Sequence, residues 1–151
     1  MLARFLAATR KPPGSELLGF EMLALSRAQM QVDIAFVAKP DFANPMGQVQ
    51  GGYLCAMLDE AMSVAGVVAS GITAFMPTLE MKTQFLRPVR ADGKRLIVRG
   101  RVVKWGRTIA FTEGELRNAE DQVCAIATAT AMPAPFQRFK AQTEAKNAES
   151  S

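Results

Sequence analysis

The sequence predicts an α+β fold in which one antiparallel sheet wraps around a single long apolar helix. Three observations lead there. From about Gly51 to Ala69, the apolar residues Leu54, Met57, Leu58, Ala61, Val64, Ala65 and Val68 cover a wide helical arc, as in a helix buried on most sides. The second half of the chain carries four strand-like runs separated by turn residues. The length, 151 residues, suits one domain with a core of its own.

In chain order, "MLARFLAATRKPP" reads as a short amphipathic helix ended by Pro12-Pro13; Arg4 interrupts its apolar part, which argues against a secretory signal. Strands are expected near Met22–Arg27 and over "MQVDIAFVA", closed by Pro40 and a loop with Asn44-Pro45 and Gly47. The long helix follows and stops at Ser70-Gly71. "TLEMKTQFLRPV" places Leu79, Met81, Thr83 and Phe85 on one face at period two. "RLIVRGRVVKW", "TIAFTEGELR" and "QVCAIATATAMPA" complete what the spacing predicts as a four-stranded antiparallel meander, with turns at "ADGK", "WGR" and "NAED". Residues 1–135 are expected to form one domain and 136–151 a polar, frayed tail.

Composition excludes several function classes. With no histidine, Ser-His and Cys-His nucleophilic machinery is absent, and a zinc site is not expected. Cys55 and Cys124 have no metal-ligand spacing and read as small buried hydrophobes in a reducing, cytoplasmic setting. The 18 basic residues against 14 acidic ones are scattered, without the clusters or aromatic interleaving of a nucleic-acid surface. A mildly basic rim suits a small anionic ligand instead. No run reads as long and charge-free enough for a membrane span.

The most informative stretch is "NPMGQVQGGYLCAMLDEA", because an acid pair, Asp59-Glu60, interrupts an apolar helix. By helical geometry Gly52, Cys55, Ala56, Ser63 and Gly66 lie within about 60° of Asp59, with Met62 at the edge. A small-residue stripe lets another element approach closely, but it does not explain a carboxylate within it. Burying an unpaired charge is costly, so such an acid is paired, lies at a cleft, or has a raised pKa. Glu60 points about 100° away and reads as a rim or ion-pair residue, with the role of working acid kept open for it. Gly51 and Gly52 form a tight loop-to-helix turn and also expose the N–H groups of a helix start, where a carbonyl oxygen could be polarised.

This stretch resembles the signature of the hotdog-fold thioesterases of the phenylacetate-degradation type: a polar residue, a short loop, His-Gly-Gly, and an acid nine positions after the His. Here Asn44 stands six before Gln50, Gln-Gly-Gly replaces His-Gly-Gly, and Asp59 falls nine after Gln50. "TLEMKTQFLRPV" and "GRVVKWGRT" look like the family's next two strands, and the likeness covers roughly residues 20 to 133. Glutamine still donates and accepts hydrogen bonds at the His position.

The resemblance implies an acyl-CoA or aryl-CoA thioesterase. Asp59 would be the catalytic base or nucleophile, and the Gly51 N–H the donor to the thioester carbonyl. Asn44 would position water or substrate, with Thr78 and Ser63 as supporting hydroxyls and Gln50 as a supporting residue. Arg87, Arg90, Lys104 and Arg107 are candidates for the coenzyme A phosphates. The resemblance also implies a homodimer with interfacial sites, paired into a homotetramer. It implies no cofactor, coenzyme A being part of the substrate, and no metal, nucleic-acid or membrane partner. Two other readings compete with it: a non-catalytic acyl-CoA-binding hotdog protein, favoured by Gln50, and a dehydratase or hydratase, disfavoured by the missing histidine.

Overall fold

A computed structural model describes residues 11–137, together with the isolated positions Ala3, Ala7 and Ala148. The helix expected before Pro12 and most of the expected tail lie outside the described residues. Pro12-Pro13 begins a helix that periodicity did not reveal, α1 (Pro13–Leu18). Pro12 is its extended N-cap and Pro13 enters the first turn, where a missing N–H costs nothing. Phe136, the first residue of the expected tail, packs on Phe75 at 4.3 Å between ring centroids, and its N–H donates to the Thr73 carbonyl at 2.9 Å.

β1 (Glu21–Ser26) and β2 (Gln31–Val37) follow α1, and α2 (Gly51–Ala69) is the long helix. Then come β3 (Ala74–Phe75), β4 (Thr78–Phe85), β5 (Arg95–Trp105), β6 (Ala110–Arg117), β7 (Val123–Ala131) and β8 (Ala134–Pro135). The large sheet has the order β1-β2-β5-β6-β7-β4, antiparallel throughout, while β3 and β8 form a separate pair. Together with α2 across its face this is the hotdog fold.

The expected four-stranded meander is therefore corrected. β5-β6-β7 is a meander, but β4 pairs with β7 at the far edge and β5 pairs with β2 from Gln31↔Arg101 to Val37↔Arg95. The physical reason lies in the connector 86–94. It does not turn back as a hairpin. Instead it runs beside the loop before α2, with Val49 N–H donating to Val89 C=O at 2.8 Å and Ala91 N–H to Gly47 C=O at 3.1 Å.

The core lies between α2 and the sheet. Leu54, Met57, Leu58, Ala61, Met62, Ala65 and Val68 of α2 are buried against Val32, Ile34, Phe36, Leu96, Val98 and Leu116. Contact is closest at Gly100 on β5, where an added Cβ would sit 2.2 Å from the Ala61 carbonyl oxygen. Cys124 is a buried core residue, and burial pushes its thiol pKa up, away from reactivity. With 19 residues and a mean hydropathy of 1.3, α2 has the length and composition of a membrane span, a property the sequence reading did not assign to any run. Its apolarity is accounted for by the sheet it covers. The opposite face of the sheet is laddered with cross-strand ion pairs, Arg99 with Asp33 at 2.7 Å and Arg101 with Glu113. Such exposed pairs contribute little individually.

Gly100→Ala is expected to lower the unfolding free energy by about 3 kcal/mol, because backbone and not a movable side chain blocks the new methyl. Gly114→Ala, whose methyl would meet the Leu58 and Met62 side chains at 3.1 and 3.2 Å, should cost clearly less. Urea titrations of both variants check the order.

Candidate active site

The site has two halves, both built on α2. The first is the helix start. Asn44 holds the preceding loop: its side-chain oxygen accepts from the Met46 N–H at 2.9 Å and the Gln48 N–H at 3.1 Å, an Asx-type turn. Gln50 is the N-cap residue, exposed, with no side-chain cap bond. The Gly51 and Gly52 N–H groups consequently have no acceptor among the described residues and stand at the positive end of the helix dipole. Phe85 at the end of β4 lies over Gly51 so closely that an added Cβ would come within 2.9 Å of its ring. Asn44, Gly51, Phe85 and Arg87 line one open cavity of about 570 Å³.

The second half is the acid. The Thr78 hydroxyl donates to Asp59 Oδ1 at 2.6 Å. Strict alternation along β4 would turn Thr78 away from the face that carries Met81 and Thr83. A register shift between Thr78 and Glu80 re-aims it toward α2 and leaves Leu79 exposed, contrary to the expected single face of Leu79, Met81, Thr83 and Phe85. Asp59 is partly buried and has no ion pair among the described residues. The Ser63 hydroxyl, one turn on, donates to the Met76 carbonyl at 3.4 Å.

The expected small-residue stripe divides between two environments. Met76 seats against Gly66, where an added Cβ would meet it at 2.5 Å, while Gly52 and Ala56 stay exposed. Glu60 is differently held from its neighbour: it accepts a hydrogen bond from the buried Ser15 of α1. Burial raises the Glu60 pKa above the ordinary glutamate range, and the Asp59 charge adds to this. The Ser15 hydrogen bond and the Lys11 charge oppose the shift.

The two halves do not meet within one chain. Gly51 and Asp59 are eight residues apart on one helix, about 12 Å along its axis, whereas a reacting carbonyl must lie about 3 Å from both. The cation candidates are also separated. Arg87 lines the cavity at the helix start and Arg90 bridges to Gln48, while Lys104 and Arg107 lie at the other end of the sheet, about 23 Å away along β5.

The thioesterase superfamily model matches residues 46–125, more than half of the chain. The chain belongs to the thioesterase superfamily. No curated protein matches it. Among solved structures, it is similar to a phenylacetic acid degradation-related protein from Ralstonia eutropha JMP134, with 33% identity, 86% of this chain and 97% of that chain covered, and a TM-score of 0.78. It shares the fold of the PaaI protein of the E. coli phenylacetic acid degradation operon, at 17% identity, 87% and 89% coverage and a TM-score of 0.75. It also shares the fold of a Streptococcus mutans protein bound to acetyl CoA, at 24% identity, 77% and 89% coverage and a TM-score of 0.67. Membership of this superfamily supports thioester hydrolysis as the general class of activity.

Sequence reasoning missed the Ser15 contact to Glu60 and the placement of Phe85 over Gly51. Neither has a local signal, since each joins elements far apart in the chain. It also missed an apolar groove beside Asp59, although four of its seven lining residues, Glu60, Ser63, Val64 and Val67, have helical i, i+3, i+4, i+7 spacing.

The raised Glu60 pKa has a defined sign in stability. As pH rises from the unfolded value through the folded one, the folded protein holds the proton more tightly than the unfolded chain, so Glu60 costs stability over that window. The stability of Glu60→Gln relative to wild type should therefore grow as pH rises above about 4.5 and level off once the folded carboxyl has ionised. Parallel urea titrations across that range check this, and a constant difference would contradict it.

Proposed function

We propose that the protein hydrolyses acyl-CoA or aryl-CoA thioesters to the free acid and CoA. The observation that carries this reading is the Thr78–Asp59 hydrogen bond: an acid held in place by a hydroxyl, with no cation partner among the described residues, on a mostly apolar helix. Thr78 engages Oδ1 and leaves Oδ2 for the reaction. As general base, Asp59 takes a proton from water while the oxygen adds to the thioester carbon. The oxyanion is held by the Gly51 N–H, and collapse expels the CoA sulfur, which receives the proton from Asp59. As nucleophile, the same oxygen would displace the CoA thiolate from the acyl carbon to form an anhydride, and water would then open it, releasing the acid, restoring the Asp59 carboxylate and supplying the proton the thiolate takes up.

The helix separation directs this reading to a dimer. A carbonyl touching both groups needs Asp59 of one protomer and the Gly51 N–H of the other. β4 is a sheet edge with Leu79, Phe85 and Leu86 exposed, and an unpaired edge of that kind invites a second copy. In the composite site Asn44, Gln50, Arg87 and Arg90 accompany the N–H half. Ser63 and Thr78 accompany the acid, with Lys104 and Arg107 at that end of the sheet. Arg87 is best placed for a CoA phosphate, because it shares the Gly51 cavity. The acetyl CoA in the Streptococcus mutans protein of the same fold supports a CoA thioester as ligand. Pairing of dimers into a tetramer is part of the same proposal. Gln50, exposed and without a cap bond, favours the second reading, a non-catalytic acyl-CoA-binding protein.

Hydrolysis of a CoA-thioester panel, followed by thiol release, separates the two readings. Asp59→Asn should keep the fold and lower turnover by about 10²–10⁴. No turnover in wild type with CoA esters still bound would favour the binding protein. Gly51→Pro removes the N–H at the first helical position, where the fixed φ of proline fits, while its ring must push the Phe85 side chain aside, and it should cost at least about 10²–10³. Mixing the two inactive variants tests the shared site. A heterodimer has one intact site, so equal mixtures should regain roughly a quarter of wild-type activity, whereas sites contained in one chain would stay silent.

A further inference from the structure

Beside Asp59, the α2 residues Glu60, Ser63, Val64 and Val67 face Phe75, Met76 and Pro77 across a groove of about 470 Å³. The sequence makes this groove in two ways. Gly66 has no side chain, so Met76 seats against the helix and fixes the far wall. Pro77 directly precedes Thr78, whose hydroxyl is on Asp59, so the Pro77 end of the groove adjoins the acid. Among the described residues no Lys or Arg lines it, and Glu60 is the single ionisable one that does.

From Glu60 to Val67 the groove follows α2 for about 10 Å. A zigzag chain that advances about 3.6 Å per three bonds spans this in about eight bonds. Resting on the thioesterase reading, we infer that this groove selects an uncharged, medium-length straight acyl chain and that Glu60 excludes acyl groups ending in a carboxylate. A chain with its thioester at Asp59 lays its methylenes between Val64, Val67 and Met76. A short chain ending in a carboxylate instead brings its charge beside Glu60, where like charges in a partly desolvated space repel.

The test uses alkyl-CoA thioethers, which cannot be hydrolysed, so binding is read independently of turnover. Calorimetric affinities of the full-length protein for ethyl-, butyl- and octyl-CoA should rise about fourfold per methylene. The 3-carboxypropyl analogue should bind at least about tenfold more weakly than butyl-CoA, and Glu60→Gln, which keeps an acceptor for Ser15, should recover most of that loss. Val67→Phe, or the milder Val67→Met, should flatten the length series. Equal affinities along the wild-type series would overturn the groove assignment, and so would find it filled by the chain itself or by a second copy. A carboxylate penalty unchanged in Glu60→Gln would overturn the role of Glu60. A steep series with no hydrolysis of any thioester would instead count against the thioesterase reading and leave the groove standing.

Discussion

The backbone-to-backbone contact between α2 and β5 is the constraint on which the rest of the structure depends. At Gly100 the sheet comes so near the helix that no side chain fits between them. That contact fixes which side of α2 is buried. Met57, Leu58, Ala61 and Ala65 turn fully inward, and Gly52, Ala56, Asp59 and Ser63 are left on the less covered side. Rotating the helix by one residue would bury the carboxylate against the sheet at a desolvation cost no partner there offsets.

Because donor and acid share one rigid helix, their spacing cannot drift. A 12 Å separation is an obstacle within one chain and a specification for two, since a twofold axis that opposes two such helices can bring the start of each near the middle of the other. The edge strand serves the same arrangement. β4 places Phe85 over Gly51 at one end and, through its register shift, Thr78 on Asp59 at the other. The strand that closes the sheet is thus also the one that touches both halves of the site.

Asp59 and Glu60 show how two adjacent acids on one helix come to lie in different surroundings. Successive helical residues point about 100° apart. One meets a strand hydroxyl beside open space, and the other meets Ser15 of a short helix and a groove wall. Helical geometry led the sequence reading to take Asp59 as the working acid and Glu60 as a rim residue, with the acid's role kept open for Glu60, and the structure finds the two in different surroundings. What set Asp59 apart was its small-residue company, a local property that helical periodicity makes readable.

The sequence by itself determined the class of fold, the bounds of α2 and nearly every strand, because these follow from apolar periodicity and turn residues within short windows. It also singled out Asp59 and the Gly51 N–H by helical geometry, while Asn44 and Thr78 entered only through the family resemblance. Only the tertiary structure decided that β4 leaves the meander for the far edge, because strand order depends on how the connector 86–94 packs beneath the helix start. It alone turned Thr78 toward the acid, through a bulge no alternation reveals. And it alone set Phe85 over Gly51, because that contact joins a strand end to a helix start far away in the chain.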